Sequence, residues 1–151
     1  MLLLQGIKIK EIKMTKTVKL TTRGRYAIMA MVELAEQNSE TPLPLSAIAE
    51  KGNISLSYLE QLIAGLRRNG LVKSHRGPGG GYKLGKDTSE IFIADILIAA
   101  EDSTPAKRNA NNDEAKTDNS PVTKALWSHI GSVLYENLKG ITLADAMKKN
   151  F

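Results

Sequence analysis

SLSYLEQLIAGLRRNGLVKSHRGPGGGY, residues Ser55 to Tyr82, holds two patterns back to back. Leu59, Leu62, Ile63 and Leu66 recur at the three- and four-residue spacing of one helix face. Ser57 and Glu60 stand at capping-box spacing, although Ser55 suits the cap as well, so the helix starts from one or the other. Asn69-Gly70 ends it with two residues that tolerate the left-handed conformation. Leu71 to Ser74 and Tyr82 to Leu84 then flank the run His75 to Gly81, which is the pattern of a β-hairpin around a glycine-rich turn.

Upstream, Thr21 or Thr22 can cap a helix reaching about Gln37, with Ala27, Ala30, Met31, Leu34 and Ala35 as its apolar stripe, widened by Tyr26 and Met29. A polar loop to Pro44 leads to a short helix over Leu45 to Lys51, with Ile48 and Ala49 inward and Gly52 as its stop. Helix, short helix, helix and hairpin in that order is the winged form of helix-turn-helix. The expected fold is therefore mainly α with a small β-hairpin, plus a long helix for dimerisation. That helix starts at Pro121, where proline suits the first turn, and runs to about Lys139. Its wide stripe is Leu126, Trp127, Ile130, Val133, Leu134 and Leu138. Ile91 to Ala100 reads as a short apolar helix, and Thr142 with Asp145 opens a last one through Met147.

The domain boundaries follow. Residues 1–18 are expected as a disordered extension, of which 1–13 could also be a start-codon overcall. Residues 19–86 form the winged helix-turn-helix, 87–120 a connecting helix and flexible polar loop, and 121–151 the dimerisation helix and short C-terminal helix.

Composition narrows the chemistry. The chain has no cysteine, which removes disulfides, thiol nucleophiles and cysteine-based zinc or iron–sulphur sites. No apolar run approaches the ~18–20 residues of a membrane span, so a cytoplasmic protein without a membrane partner is expected. The net charge of +5 is uneven. Residues 1–86 carry 14 Lys and Arg against 6 Asp and Glu, and residues 87–151 carry 7 against 10. A basic N-terminal half points to nucleic acid, although a solvated basic face would look the same.

In a helix-turn-helix the second helix enters the major groove. Ser55, Ser57, Tyr58 and Gln61 at its start offer hydroxyl and amide groups to base edges or phosphates, and Arg67 and Arg68 near its end suit phosphates. Glu60 repels phosphate but can accept from cytosine N4; the alternative is that it only closes a capping box. The glycine run lacks the Gly-Lys-Ser/Thr of a phosphate-cradling loop, so a nucleotide-using enzyme is not expected. As a wing it presents a narrow tip at Gly77, with Arg76 drawn to the minor groove; a plain structural turn is the alternative. His75 and His129 have no convincing co-ligands, and Trp127 suits a core or a dimer interface.

Leu20 to Ala27, Ile54 to Leu62 and Arg76 to Tyr82 resemble the IscR-like iron–sulphur cluster regulators, as do Ala125-Leu126-Trp127 and Ile141-Thr142-Leu143. The resemblance covers about Lys19 to Met147. It implies a homodimeric DNA-binding regulator whose long helix crosses to the partner subunit. It also implies base reading at the positions of Ser57, Tyr58 and Gln61, tuning of site class at Glu60, and minor-groove entry at Arg76. The family's [2Fe–2S] ligand positions fall on Asn109, Ala115, Pro121 and Lys124, none of which replaces a thiolate or imidazole. The expectation is a regulator without cofactor, binding double-stranded DNA, with RNA polymerase as a further candidate partner. The competing expectation is a decayed regulator that only dimerises.

Overall fold

The computed structural model describes residues 16–37, 40–102 and 120–151. Helix α1, Thr22–Glu36, begins where the Thr21 hydroxyl accepts from the Gly24 N–H at 3.1 Å. Its buried side is Gly24, Ala27, Ala30, Met31 and Leu34. Helix α2 spans Leu45–Gly52 and α3 spans Leu56–Arg68. Strands β1, Val72–His75, and β2, Gly81–Leu84, pair antiparallel with Val72 opposite Leu84 and His75 opposite Gly81. A 3₁₀ turn, Thr88–Glu90, leads to α4, Ile93–Ala100. Helix α5 is Pro121–Leu138 and α6 is Leu143–Met147.

The core forms where α1, α3 and α4 meet. Met31, Ile48, Leu59, Leu62, Ile63, Leu66, Leu71, Ile91, Ile96 and Leu143 are its fully buried large side chains. Helix α6 returns to this core through the Thr142–Asp145 capping box, while Ile93 N–H donates to Ile141 O at 3.0 Å and Leu143 N–H to Ile91 O at 2.7 Å. Among the described residues, no helix is long and apolar enough to cross a membrane.

Two local expectations change, and one open alternative is settled. Asn53, not Gly52, takes the left-handed conformation after α2, at φ 52°. Gly52 answers a different need, because a Cβ there would stand 2.3 Å from the Met29 methyl. Ser55 caps α3, accepting from the Tyr58 N–H at 3.2 Å, so Glu60 closes no capping box. Val18, placed in the disordered extension by its position, is buried. Its N–H donates to Gly131 O at 3.2 Å, and a Cβ at Gly131 would meet the Thr17 Cβ at 3.0 Å. The absent side chain at Gly131 is what lets the N-terminal segment lie against α5. Residues 1–15 and most of the 102–120 loop lie outside the described residues.

Candidate nucleic-acid interface

Burying Leu59, Leu62, Ile63, Gly65 and Leu66 forces the rest of α3 outward. Ser57, Glu60, Gln61, Ala64, Arg67 and Arg68 are exposed and lie on one side of the helix. Ser55 is exposed too, but its hydroxyl is engaged as the cap. With the capping box gone, Glu60 has no side-chain bond among the described residues that would explain it. Its carboxylate stands on the open face beside Gln61.

Tyr58 departs from this stripe. It is half-buried and meets Tyr26 edge-to-face, with ring centroids 5.9 Å apart at 82°. Burial pushes its phenol above the usual tyrosine range, and the nearby Arg23 charge partly offsets this. Arg23 reaches Glu101 at 4.0 Å, and one of its buried guanidinium nitrogens has no hydrogen-bond partner among the described residues.

Arg67 and Arg68 separate in role. The Arg68 guanidinium donates to the backbone carbonyl of Asp102, and its Nε lies 3.7 Å from the Asp102 carboxylate. Arg67 has no ion pair among the described residues.

The wing is built by its glycines. Gly77 at φ 101° and Gly79 at φ 73° turn the chain, and Gly80 N–H closes the turn on Gly77 O at 2.9 Å. Arg76 and Gly77 are exposed at the tip. The root is held by a feature that sequence reading missed. Leu43 and Tyr82 exchange two backbone hydrogen bonds of 2.9 Å, tying β2 to the segment before α2. A Cβ at Gly81 would stand 2.5 Å from the Leu43 backbone, so the glycine run serves the root as well as the tip. Lys73 and Lys83 were also missed. They are directly opposed across the hairpin, an arrangement that costs stability unless an anion lies near. The charge pattern of β1 and β2 carried that signal once the register was known.

The family model described as Rrf2, iron-dependent transcriptional regulator, matches residues 20–149. The chain belongs to the Rrf2 family. The HTH-type transcriptional regulator IscR of Photorhabdus laumondii is 44% identical over 128 residues, 85% of this chain and 78% of that protein. The IscR of Vibrio campbellii is 42% identical over 133 residues, 88% of this chain and 79% of that one. Among solved structures, T. potens IscR aligns with a TM-score of 0.66 at 41% identity, covering 89% of each chain. CymR, the global cysteine regulator of B. subtilis, aligns at 0.64 and 37%, covering 87% of this chain and 98% of that one. This Rrf2 chain is thus an IscR-type transcription regulator with a DNA-binding winged helix, and not an enzyme.

The iron–sulphur cluster of IscR-like regulators does not fit the residues present. Pro121 is the first residue of α5 and has no donor atom to offer, and Lys124 is exposed one turn later with an ammonium that would repel iron. Asn109 and Ala115 lie outside the described residues, and the whole chain supplies no thiolate.

Proposed function

We propose that this regulator binds a specific double-stranded DNA sequence as a homodimer, without a cluster, at sites of the kind that the cluster-free form of its relatives accepts. The observation that carries the reading is the single exposed face of α3, where Ser57, Glu60 and Gln61 stand together with no side-chain bond to the fold among the described residues. In this reading Ser57 and Gln61 meet base edges in the major groove, and Glu60 favours cytosine and disfavours close phosphate. Arg67, Arg68, Lys73 and Lys83 meet phosphates, and Arg76 and Gly77 enter the adjacent minor groove. Tyr58 acts through its packing on Tyr26, which fixes the start of α3, and Ser55 through its cap.

The exposed part of α5 supports the dimer. Leu126, Trp127, Ile130 and Val133 are left uncovered, Trp127 with 63% of its surface, whereas Leu134 and Leu138 pack on the chain's own core. Residues 19–86 act as the reading domain and 121–151 as the dimerisation arm, with 87–120 between them. The regulated set would be iron–sulphur assembly or related stress genes of the cytoplasm. A dimer seated over a promoter would exclude RNA polymerase, so repression is the expected output.

Binding to duplexes carrying single base substitutions tests the reading. Gln61→Ala should cost about 1–3 kcal/mol of discrimination at one base position. An equal loss on every sequence would remove Gln61 from the base-reading set. Stoichiometric iron and acid-labile sulphide in protein purified without oxygen would refute the cluster-free state.

A further inference from the structure

Three polar contacts at the end of α3 converge on one residue far away in the chain. Arg68 donates to the Asp102 carbonyl, and its Nε faces the Asp102 carboxylate at 3.7 Å. The Asn69 side-chain amide donates to the same carboxylate at 3.2 Å while also donating to Gly65 O at 2.8 Å. The next residue back, Glu101, holds the start of α1: it accepts from the Thr21 hydroxyl at 2.5 Å and faces Arg23. Arg68 lies one, two and three helical turns from Ala64, Gln61 and Ser57, on their side of the helix. Asp102 therefore puts a carboxylate where a phosphate would sit if α3 lay in a groove.

We propose that Asp102 is a built-in counter-ion for Arg68, exchanged for a DNA phosphate when the regulator binds its specific site. This rests on α3 being the reading helix. The ion pair is about half exposed on both sides, so it is weakly held and open to competition. Exchange frees the Asp102 side chain to keep only Asn69, which leaves the end of α3 braced while its arginine moves to DNA. Free in solution, the pair lowers the positive potential of the helix end and so weakens binding to arbitrary sequence. Asp102 is thereby a residue that sets the margin between specific and non-specific DNA.

The test uses the full chain and four proteins: the unaltered one, Asp102→Asn, Arg68→Gln and the double variant. Affinity for a specific and an arbitrary duplex is measured across salt concentrations. With Asp102→Asn, affinity for the arbitrary duplex should rise by about threefold at moderate salt. On the arbitrary duplex, where the pair otherwise holds, the slope of log affinity against log salt should steepen by roughly 0.9 for each subunit whose arginine gains a full phosphate contact. On the specific duplex, where exchange already occurs, the slope should stay as it is. Arg68→Gln should cancel both effects. An Asp102→Asn protein whose slope on the arbitrary duplex is unchanged, or whose gains persist in the double variant, overturns the proposal. In the unaltered protein, the Arg68 Nε–H resonance should shift on adding DNA, and a resonance that stays in place also overturns it. The Gln61→Ala discrimination is independent of Asp102, so its survival beside a failed exchange would leave the reading helix intact and remove only the counter-ion.

Discussion

Gly80 is the wing residue with the least room. A Cβ there would stand 2.4 Å from the His75 carbonyl oxygen and 2.7 Å from that of Gly77. Both obstacles are backbone, so neither can swing aside. Gly80→Ala should therefore open the wing tip at a local cost on the order of 1–3 kcal/mol. Because the tip touches little of the core, thermal melting should move only slightly while DNA affinity falls several-fold. A large fall in melting temperature would show that the tip carries stability as well. At this scale the sequence was informative about residue type and less so about duty. Ser55 and Ser57 are two residues apart and equally good caps, and only the backbone decides that Ser55 takes the role. Tyr58 could be read as a surface hydroxyl because its partner, Tyr26, is 32 positions away. The tie between Arg68 and Asp102 spans 34 positions and leaves no local pattern at all.

Elements were legible where periodicity ran long or chemistry was local. The stripes of α1 and α3, the glycine-flanked hairpin, and the Thr142–Asp145 start of α6 all follow from neighbours in sequence. The 3₁₀ turn Thr88–Glu90 is too short for any period to register, and the Leu43–Tyr82 bridge depends on chain segments that meet only after folding. Helix α6 also carries a pH signature. Two hydrogen bonds from Thr142, backbone first and then hydroxyl, hold the Asp145 carboxyl below the usual aspartate range. Its folded value lies under its unfolded one, so the stabilisation is complete above the ordinary carboxylate range. It is lost as pH falls through the depressed value. The protection of the Leu143 amide, whose N–H bonds Ile91 O, should fall over that acidic window once its exchange rate is compared with the intrinsic rate at each pH. Asp145→Asn should flatten the response, and an unchanged acid response in that variant would assign it to other carboxylates.

At the scale of the whole molecule, the proposed assembly rests on the exposed apolar face of α5. Ile130→Glu would bury a charge in the proposed contact between subunits, where an unpaired carboxylate is strongly disfavoured. Sedimentation should then give a monomer at concentrations where the unaltered chain is dimeric, with the monomer still folded because Ile130 is outside the core. A dimer that survives this change would place the interface elsewhere. Binding by such a monomer should also lose its dependence on a second half-site, since one reading head remains. The segment before α1 adds a constraint here, because Val18 rests on α5 at Gly131 and ties that segment to the proposed dimerisation arm.

The two backbone bonds between Leu43 and Tyr82 have a consequence for DNA geometry. They brace the wing at its root against the segment before α2, and on the proposed docking the wing tip and α3 would then act like the jaws of a caliper. A caliper measures before it reads. On the proposed docking, a duplex with every correct base but a minor groove set too wide or too far along the axis would be rejected. The molecule would thus select for the shape and stiffness of its site as much as for the letters in it.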